Sequence, residues 1–210
     1  MIDQLIEAGR RIVESGIAKG WAGNLSARHW NKILITRSGA DLGNLAQTDL
    51  VYTGFQTTQL SLQSKRPSSE LSLHLNIYKV QPDVQVVFHV HSPQAIAYGL
   101  LGMVLPAVTP DFYRHVGASV PLLPYMPPTT PELATAVAQA LKDSPAVLLQ
   151  NHGVVVVGES VSQALLRLNL VEEQAAIYLA ALAAGEPRQL WESDMQKLDD
   201  LMSRKQSPHV

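Results

Sequence analysis

The chain of 210 residues contains no cysteine. Disulfide bonds and thiolate metal sites are therefore excluded, and any metal has to be bound by nitrogen and oxygen ligands. The chain also lacks a strong charge of one sign, because its formal net charge is −2 at pH 7. We therefore do not expect a nucleic acid as its main partner. No uncharged run reaches the roughly 18 apolar residues that cross a membrane, so we expect no membrane partner.

The sequence shows no internal repeat and no stretch with the composition of a linker. Its first residues, 1–7, begin an amphipathic pattern and lack the basic and long apolar regions of a signal peptide. Since 46% of the residues are hydrophobic, the chain is long enough to bury a sizeable core. We expect one domain over residues 1–210, located in the cytoplasm.

Hydrophobic spacing and turn residues predict a mixed α/β order with a central, antiparallel-rich sheet between helices. The predicted helices are 2–18, 71–80, 92–101, 131–142, 161–184 and 189–205. The predicted strands are 32–36, 49–53, 59–62, 84–90, 120–123, 146–150 and 154–157. The segment 23–26 is interpreted as flexible and polar.

The histidines carry the strongest functional signal. His89 and His91 lie in an apolar run, and residues i and i+2 of a strand point to the same face. His152 follows a second apolar strand, so three imidazoles can meet and leave a divalent metal an open coordination position, as in catalytic sites. The adjacent Gly153 fits a backbone that closely approaches a metal or substrate.

Two residues of the helix predicted to begin near residue 70 have alternative interpretations. Glu70 is either a routine first-turn glutamate or a carboxylate linked to the metal. His74 follows it by four residues, a spacing that can chelate a metal. Its apolar neighbours favour a half-buried, hydrogen-bonded core histidine instead. The remaining histidines, His29, His115 and His209, stand in polar or terminal contexts and are interpreted as solvated.

Three short polar segments have the composition of an anion site. Residues 23–26 include the amide of Asn24, and Ser38 with Gly39 offers a hydroxyl and a free backbone N–H. Ser68 and Ser69 precede a predicted helix, whose unpaired N–H groups and dipole favour a phosphate. Each segment alone also suits an ordinary turn or cap.

Taken together and in this order, these segments resemble the class II aldolase/adducin family. The matching motifs are Gly23-Asn24-Leu25-Ser26, Thr36-Arg37-Ser38-Gly39, Pro67-Ser68-Ser69-Glu70, His89-Val90-His91 and Asn151-His152-Gly153. They span residues 20–155, and the flanking predicted helices also agree. As a set these motifs are specific.

The resemblance implies a three-layer α/β/α fold, usually a ring-shaped homotetramer with sites between subunits. It implies one zinc ion per subunit, bound by Glu70, His89, His91 and His152; Fe²⁺, Mn²⁺ or Co²⁺ are alternatives. It further implies that Glu70 leaves the metal to act as acid and base. The implied cradle for a substrate phosphate consists of Asn24, Ser38, Gly39, Ser68 and Ser69.

The function predicted on this basis is zinc-dependent cleavage of a carbon–carbon bond in a small phosphorylated sugar or sugar acid. Decarboxylation of a sugar-acid phosphate, 4-epimerisation of a pentulose phosphate, iron-dependent oxygen chemistry and a non-catalytic assembly module like the adducin head remain alternatives. Glutamate at position 70 favours the aldolases over the epimerases, which tend to have aspartate there.

Some positions depart from the family pattern. Trp21 stands where aldolases have a small hydroxyl residue near the phosphate. Asp111 replaces a catalytic tyrosine, with Tyr113 close by, so the partner that supplies a proton is left open. The polar tail 203–210 either lacks fixed structure or closes over a site.

Overall fold

The protein is described by a computed structural model over residues 1–55 and 66–206. Its helices are α1 (Ile2–Glu14), α2 (Leu71–Val80), α3 (Pro93–Gly99), α4 (Pro110–His115), α5 (Pro131–Ala140), α6 (Val161–Ala184) and α7 (Glu192–Gln206). Its strands are β1 (Gly23–His29), β2 (Lys32–Thr36), β3 (Leu50–Gly54), β4 (Val86–Val90), β5 (Leu105–Pro106), β6 (Ser119–Val120), β7 (Leu122–Leu123), β8 (Ala146–Leu149) and β9 (Gly153–Gly158). Short 3₁₀ turns cover Leu42–Asn44 and Gln47–Asp49.

Seven strands form one sheet in the order β3-β2-β1-β4-β9-β8-β7. The neighbouring pairs are antiparallel except for β7 and β8, which run parallel. Strands β5 and β6 form a separate two-stranded ladder. The predicted mixed, largely antiparallel sheet is thus confirmed.

Helices cover both faces of this sheet and bury two separate cores. On one face, Leu25 of β1 and Phe88 of β4 pack with residues of α1, α3, α4 and α6. On the other, Val87 and Val155 pack with residues of α2 and α5. Because side chains alternate along a strand, His89 has the same orientation as Val87 and faces the α2–α5 layer. The arrangement is the predicted three-layer α/β/α architecture. Over the described residues, we find no helix with both the length and the apolar character needed to cross a membrane.

The interpretation of residues 23–26 as a flexible segment was wrong. They open strand β1, which pairs with β2 on one side and β4 on the other. Leu25 and Ala27 are buried on one face, while Asn24 and Ser26 are buried on the other face and hydrogen-bonded there. Polar residues therefore occupy a central strand because partners on α2 satisfy them.

Other differences are local. Helix α1 ends at Glu14, before Gly16 with its φ of 78°, and not at residue 18. Helix α4 was not predicted; Pro110 starts it, and the Thr109 hydroxyl accepts a hydrogen bond from the N–H of Phe112. The predicted strand 59–62 and the end of the tail, 207–210, lie outside the described residues.

Candidate metal centre

The sheet brings the three predicted histidine ligands to one edge. His89 lies near the end of β4 and His91 directly after it, while His152 lies in the turn between β8 and β9. Since β4 and β9 are antiparallel, with Val90 opposite Val154, the end of β4 lies beside the start of β9. Strand pairing therefore joins residues that are far apart in the chain.

The fourth residue of the cluster, Glu70, lies at the N-cap position of α2. Its Oε2 atom is 3.0 Å from Nε2 of His89, and its Oε1 atom is 3.5 Å from Nε2 of His152. The Nε2 atoms of His89 and His152 are 3.3 Å apart. The ring centroid of His91 lies 5.1 Å from that of His89 and 5.0 Å from that of His152. One ligand atom from each of the four residues lies within 4.8 Å of the others.

The donor atoms fit a divalent cation. In the part of the chain that the structure describes, three buried atoms of this cluster lack a hydrogen-bond partner: Nε2 of His91, Nδ1 of His152 and Oε1 of Glu70. Unpaired buried polar atoms are costly unless they bind something. Ligands bound at about 2.0–2.1 Å in a tetrahedron lie about 3.3 Å from one another, which matches the 3.0, 3.3 and 3.5 Å separations measured here.

A backbone contact sets the orientation of His89. Its Nδ1 lies 3.0 Å from the carbonyl oxygen of Val154, so Nδ1 carries the hydrogen and donates it. In the neutral imidazole, the lone pair of Nε2 therefore points into the cluster. This pairing of a ligand imidazole with a carbonyl is typical of histidines that bind metals.

The protonation states also suit metal binding. Burial lowers the pKa of His91, and it lowers the pKa of His152 to about 4. Burial alone would raise the pKa of Glu70, but nearby His89, a hydrogen bond from Asn24 and His152 together lower it. At neutral pH, Glu70 is a carboxylate and both of these imidazoles are neutral, as metal ligands must be.

Neighbouring backbone holds the segment around His91. The N–H of His91 donates to the carbonyl of Ala22, at 3.0 Å. Helix α3 begins two residues later, and Glu172 of α6 accepts hydrogen bonds from its Gln94 and Ala95 N–H groups, both at 3.0 Å. The backbone of Gly153 lies close to the last residue of strand β4. A Cβ at position 153 would lie only 2.3 Å from the Val90 carbonyl oxygen.

The start of α2 differs from the prediction. No serine occupies the N-cap; instead, the Ser68 hydroxyl accepts a hydrogen bond from the Glu70 N–H at 3.2 Å. The N–H of Leu71 donates to the Ser68 carbonyl, and that of Leu73 to the Glu70 carbonyl. These N–H groups are therefore not free to bind an anion, contrary to our expectation.

The structure brings two of the three predicted phosphate segments together. A bridge between Arg37 and Pro67 places Ser38 and Gly39 beside Ser68 and Ser69. Ser38, Gly39 and Ser69 are exposed, whereas Ser68 is buried. The backbone N–H of Ser38 donates to the Arg66 carbonyl at 3.0 Å, so Ser38 itself can offer only its hydroxyl to a phosphate.

Asn24 has a different environment from the other predicted phosphate residues. It is buried, and its side-chain Nδ2 donates to Oε2 of Glu70 at 3.0 Å. Its Oδ1 lies 2.5 Å from Nε2 of His74. His74 is fully buried and hydrogen-bonded, so its interpretation as a core histidine is confirmed. No pattern in the sequence indicates its link to Glu70.

The positions that depart from the family pattern lie at the surface or on α4. Trp21 is 73% exposed and precedes Ala22, whose carbonyl accepts the hydrogen bond from the His91 N–H. Asp111 is exposed on α4. The Tyr113 hydroxyl donates to Asp199 of α7 at 2.9 Å.

Comparison with known proteins identifies the family of this chain. The family model for the class II aldolase and adducin N-terminal domain matches residues 3–179. The chain is 32% identical to a 5-deoxy-D-ribulose 1-phosphate aldolase of Bacillus thuringiensis, covering 93% of this chain and 92% of that protein. It is 33% identical to the L-fuculose phosphate aldolase of Escherichia coli K12, over 88% and 85% of the two chains. A solved L-fuculose 1-phosphate aldolase superposes with a TM-score of 0.87 at 30% identity, covering 96% of this chain and 95% of the other.

Proposed function

The chain belongs to the class II aldolase and adducin family and is a metal-dependent aldolase; we propose that it uses zinc to cleave a small ketose 1-phosphate into dihydroxyacetone phosphate and an aldehyde. The substrate class follows the names of its relatives, which act on 5-deoxyribulose and fuculose phosphates. The observation that carries the proposal is the convergence of Glu70, His89, His91 and His152.

The donor set is the one expected for zinc. Three imidazole nitrogens and one carboxylate oxygen suit Zn²⁺, although Fe²⁺, Mn²⁺ and Co²⁺ accept the same ligands. A bound divalent cation would act as a Lewis acid and stabilise the negative charge that develops on the substrate's oxygens as the carbon–carbon bond breaks.

The protein's own residues then move the proton. In aldol cleavage the C3–C4 bond breaks, its electron pair stays on C3, and C4 becomes the aldehyde carbon as its hydroxyl loses a proton. C3 must gain one proton in exchange. The Glu70 carboxylate lies within the cluster and is ionised at neutral pH, so we assign it this transfer.

The phosphate orients the substrate beside the cluster. Ser69 directly precedes Glu70, and the exposed Ser38 and Gly39 lie on the adjacent segment. Hydroxyl and backbone donors there would hold the phosphate, with Ser68 and Asn24 completing the predicted cradle. This binding positions the reacting carbons and contributes orientation to catalysis. The homotetramer and the cytoplasmic location stay predictions.

Phosphorus NMR of the zinc-loaded protein tests this function. The protein is mixed with 5-deoxyribulose 1-phosphate, fuculose 1-phosphate, a pentulose 5-phosphate and a sugar-acid phosphate, with Glu70→Gln as the matched control. We expect the signal of dihydroxyacetone phosphate to appear from a ketose 1-phosphate with the wild type only.

Other products would contradict the proposal in distinct ways. Conversion of the pentulose phosphate to its epimer would indicate an epimerase, and a decarboxylated product would indicate the sugar-acid branch. No conversion by protein with one bound zinc ion per chain would reject this substrate class.

A further inference from the structure

Five side chains form a continuous hydrogen-bonded chain from the metal cluster into the core. Beyond the Glu70–Asn24 and Asn24–His74 contacts, Nδ1 of His74 lies 2.6 Å from the Ser26 hydroxyl. The Ser26 hydroxyl in turn lies 2.9 Å from that of Tyr78. His74 and Tyr78 are both on α2, and Asn24 and Ser26 are both on β1.

The ionised carboxylate fixes the direction of every hydrogen bond in this chain. A carboxylate accepts only, so the amide nitrogen of Asn24 must face Glu70 and its oxygen must face His74. His74 then has to carry its hydrogen on Nε2, which leaves Nδ1 to accept from Ser26. The Ser26 oxygen accepts from the Tyr78 hydroxyl. Each donor thus meets an acceptor.

The five hydrogen-bonded side chains are shielded from water. Ser26 and His74 are 0% exposed, Tyr78 is 2% exposed and Asn24 is 6% exposed. Burial lowers the pKa of His74 to about 3, so its ring is neutral, with the one donor and one acceptor that the chain requires. A buried network of this kind is rigid when all members are paired, and removing one leaves the others unsatisfied.

We propose that His74 is a positioning residue, which acts through Asn24 to hold the Glu70 carboxylate in the orientation that binds the metal and exchanges a proton with substrate. This role rests on the proposed function. The Asn24 amide has a second N–H besides the one bound by Glu70, so contact with a phosphate remains compatible with this role.

Two substitutions of His74 and one control test the proposal. His74→Leu removes the donor to Asn24, whereas His74→Gln keeps an N–H donor near the position of Nε2. Leu75→Ala is the matched control, because Leu75 is buried on the same helix but packs in the hydrophobic core. We would measure Co²⁺ affinity by competition with a chelator, kcat and KM for a ketose 1-phosphate, and thermal unfolding.

We expect His74→Leu to weaken Co²⁺ binding and to lower kcat, each by about 10–100-fold, as for other residues that support metal ligands. Its KM should stay close to that of the wild type. His74→Gln should recover most of both losses, while Leu75→Ala should lower the melting temperature and leave Co²⁺ affinity unchanged. Equal Co²⁺ affinities in His74→Leu and the wild type, or equal losses in His74→Leu and Leu75→Ala, would overturn the proposal.

A second measurement needs neither a variant nor a substrate. Nitrogen-15 NMR of the wild-type histidines reports which ring nitrogen of His74 carries hydrogen, and we expect Nε2. A hydrogen on Nδ1 would overturn the assigned directions and the positioning role with them. If the wild type cleaves no sugar phosphate, the proposed function fails, but Co²⁺ affinity and the tautomer still decide the role of His74. A wild type that binds no Co²⁺ would overturn both.

Discussion

The Nε2 atom of His89 lies 3.3 Å from the Nε2 atom of His152, although the residues are 63 positions apart in the chain. Because Nδ1 of His89 donates to the Val154 carbonyl, its Nε2 presents a lone pair to this contact. This contact is satisfied either by a hydrogen on Nε2 of His152 or by a cation bound to both nitrogens. The geometry thus agrees with a cation shared by both rings.

Removal of His89 should abolish metal binding. We expect His89→Ala to weaken Zn²⁺ binding by more than the roughly 100-fold typical of a supporting residue, because it deletes a ligand. The measurement is zinc content and affinity after purification. His29→Ala is the control, since His29 lies on β1 against Trp30 and Tyr52. Stoichiometric zinc in His89→Ala would contradict the ligand assignment.

Glu70 should separate metal binding from turnover. In Glu70→Gln the three imidazoles remain, so we expect most of the zinc to be retained through purification, although with lower affinity than in the wild type because one ligand is lost. The amide cannot accept a proton and return it, so kcat should fall by about 10²–10⁴-fold. Zinc analysis and the cleavage assay on the same preparation check both parts. Full activity would refute the proton-transfer role.

The sequence was informative wherever local periodicity determines the structure. The bounds of α2 and α6 followed from apolar spacing and from Gly185, and the His89–His91 pair followed from the alternation within a strand. The motif pattern pointed to Glu70 and His152. The sheet order, which joins them in space, depends on pairing between distant strands, and no single segment encodes that pairing.

The segment that was predicted incorrectly, residues 23–26, is stabilised by contacts with residues far away in the sequence. Gly23, Asn24 and Ser26 looked like a polar loop because the partners that satisfy Asn24 and Ser26 lie on α2, about 50 residues later. The hydrogen-bonded chain behind Glu70 alternates between β1 and α2, so no local pattern reveals it.

Substitution of Ser69 should weaken only the binding of the substrate's phosphate. It is exposed beside Glu70, so Ser69→Ala should raise KM for a phosphorylated substrate by about 10-fold, the loss of one hydrogen bond to a charged group. The dephosphorylated analogue should be unaffected. Ser72→Ala, an exposed serine on α2, is the matched control. Equal changes for both substrates would argue against a phosphate site here.

Acid should destabilise the metal-free protein partly through His74. Burial, with a contribution from His89, lowers its pKa from its ordinary value near 6.5 to about 3. The unfolded chain therefore takes up a proton that the folded protein excludes, and stability falls as the pH drops below about 6.5. At about pH 5 the loss should be about 2 kcal/mol.

Urea unfolding of wild type and His74→Gln between about pH 7 and 5 measures this contribution. The other buried groups titrate in both proteins, so the difference isolates His74. We expect the free energy of unfolding of the wild type to fall by about 2 kcal/mol more than that of His74→Gln. Parallel pH profiles would show that His74 is not held neutral.

Gly153 should be required for the strand contact that aligns the ligands. A Cβ at this position would lie 2.3 Å from the Val90 carbonyl oxygen and 3.2 Å from Cα of His91, so β4 and β9 would have to separate. We expect Gly153→Ala to lower the free energy of unfolding by about 1–3 kcal/mol and to weaken zinc binding. Gly185→Ala is the control, because no heavy atom lies within 4 Å of its Cβ position. Wild-type stability and zinc affinity in Gly153→Ala would mean that the strands can separate without moving His91, and that their close pairing does not set the geometry of the ligands.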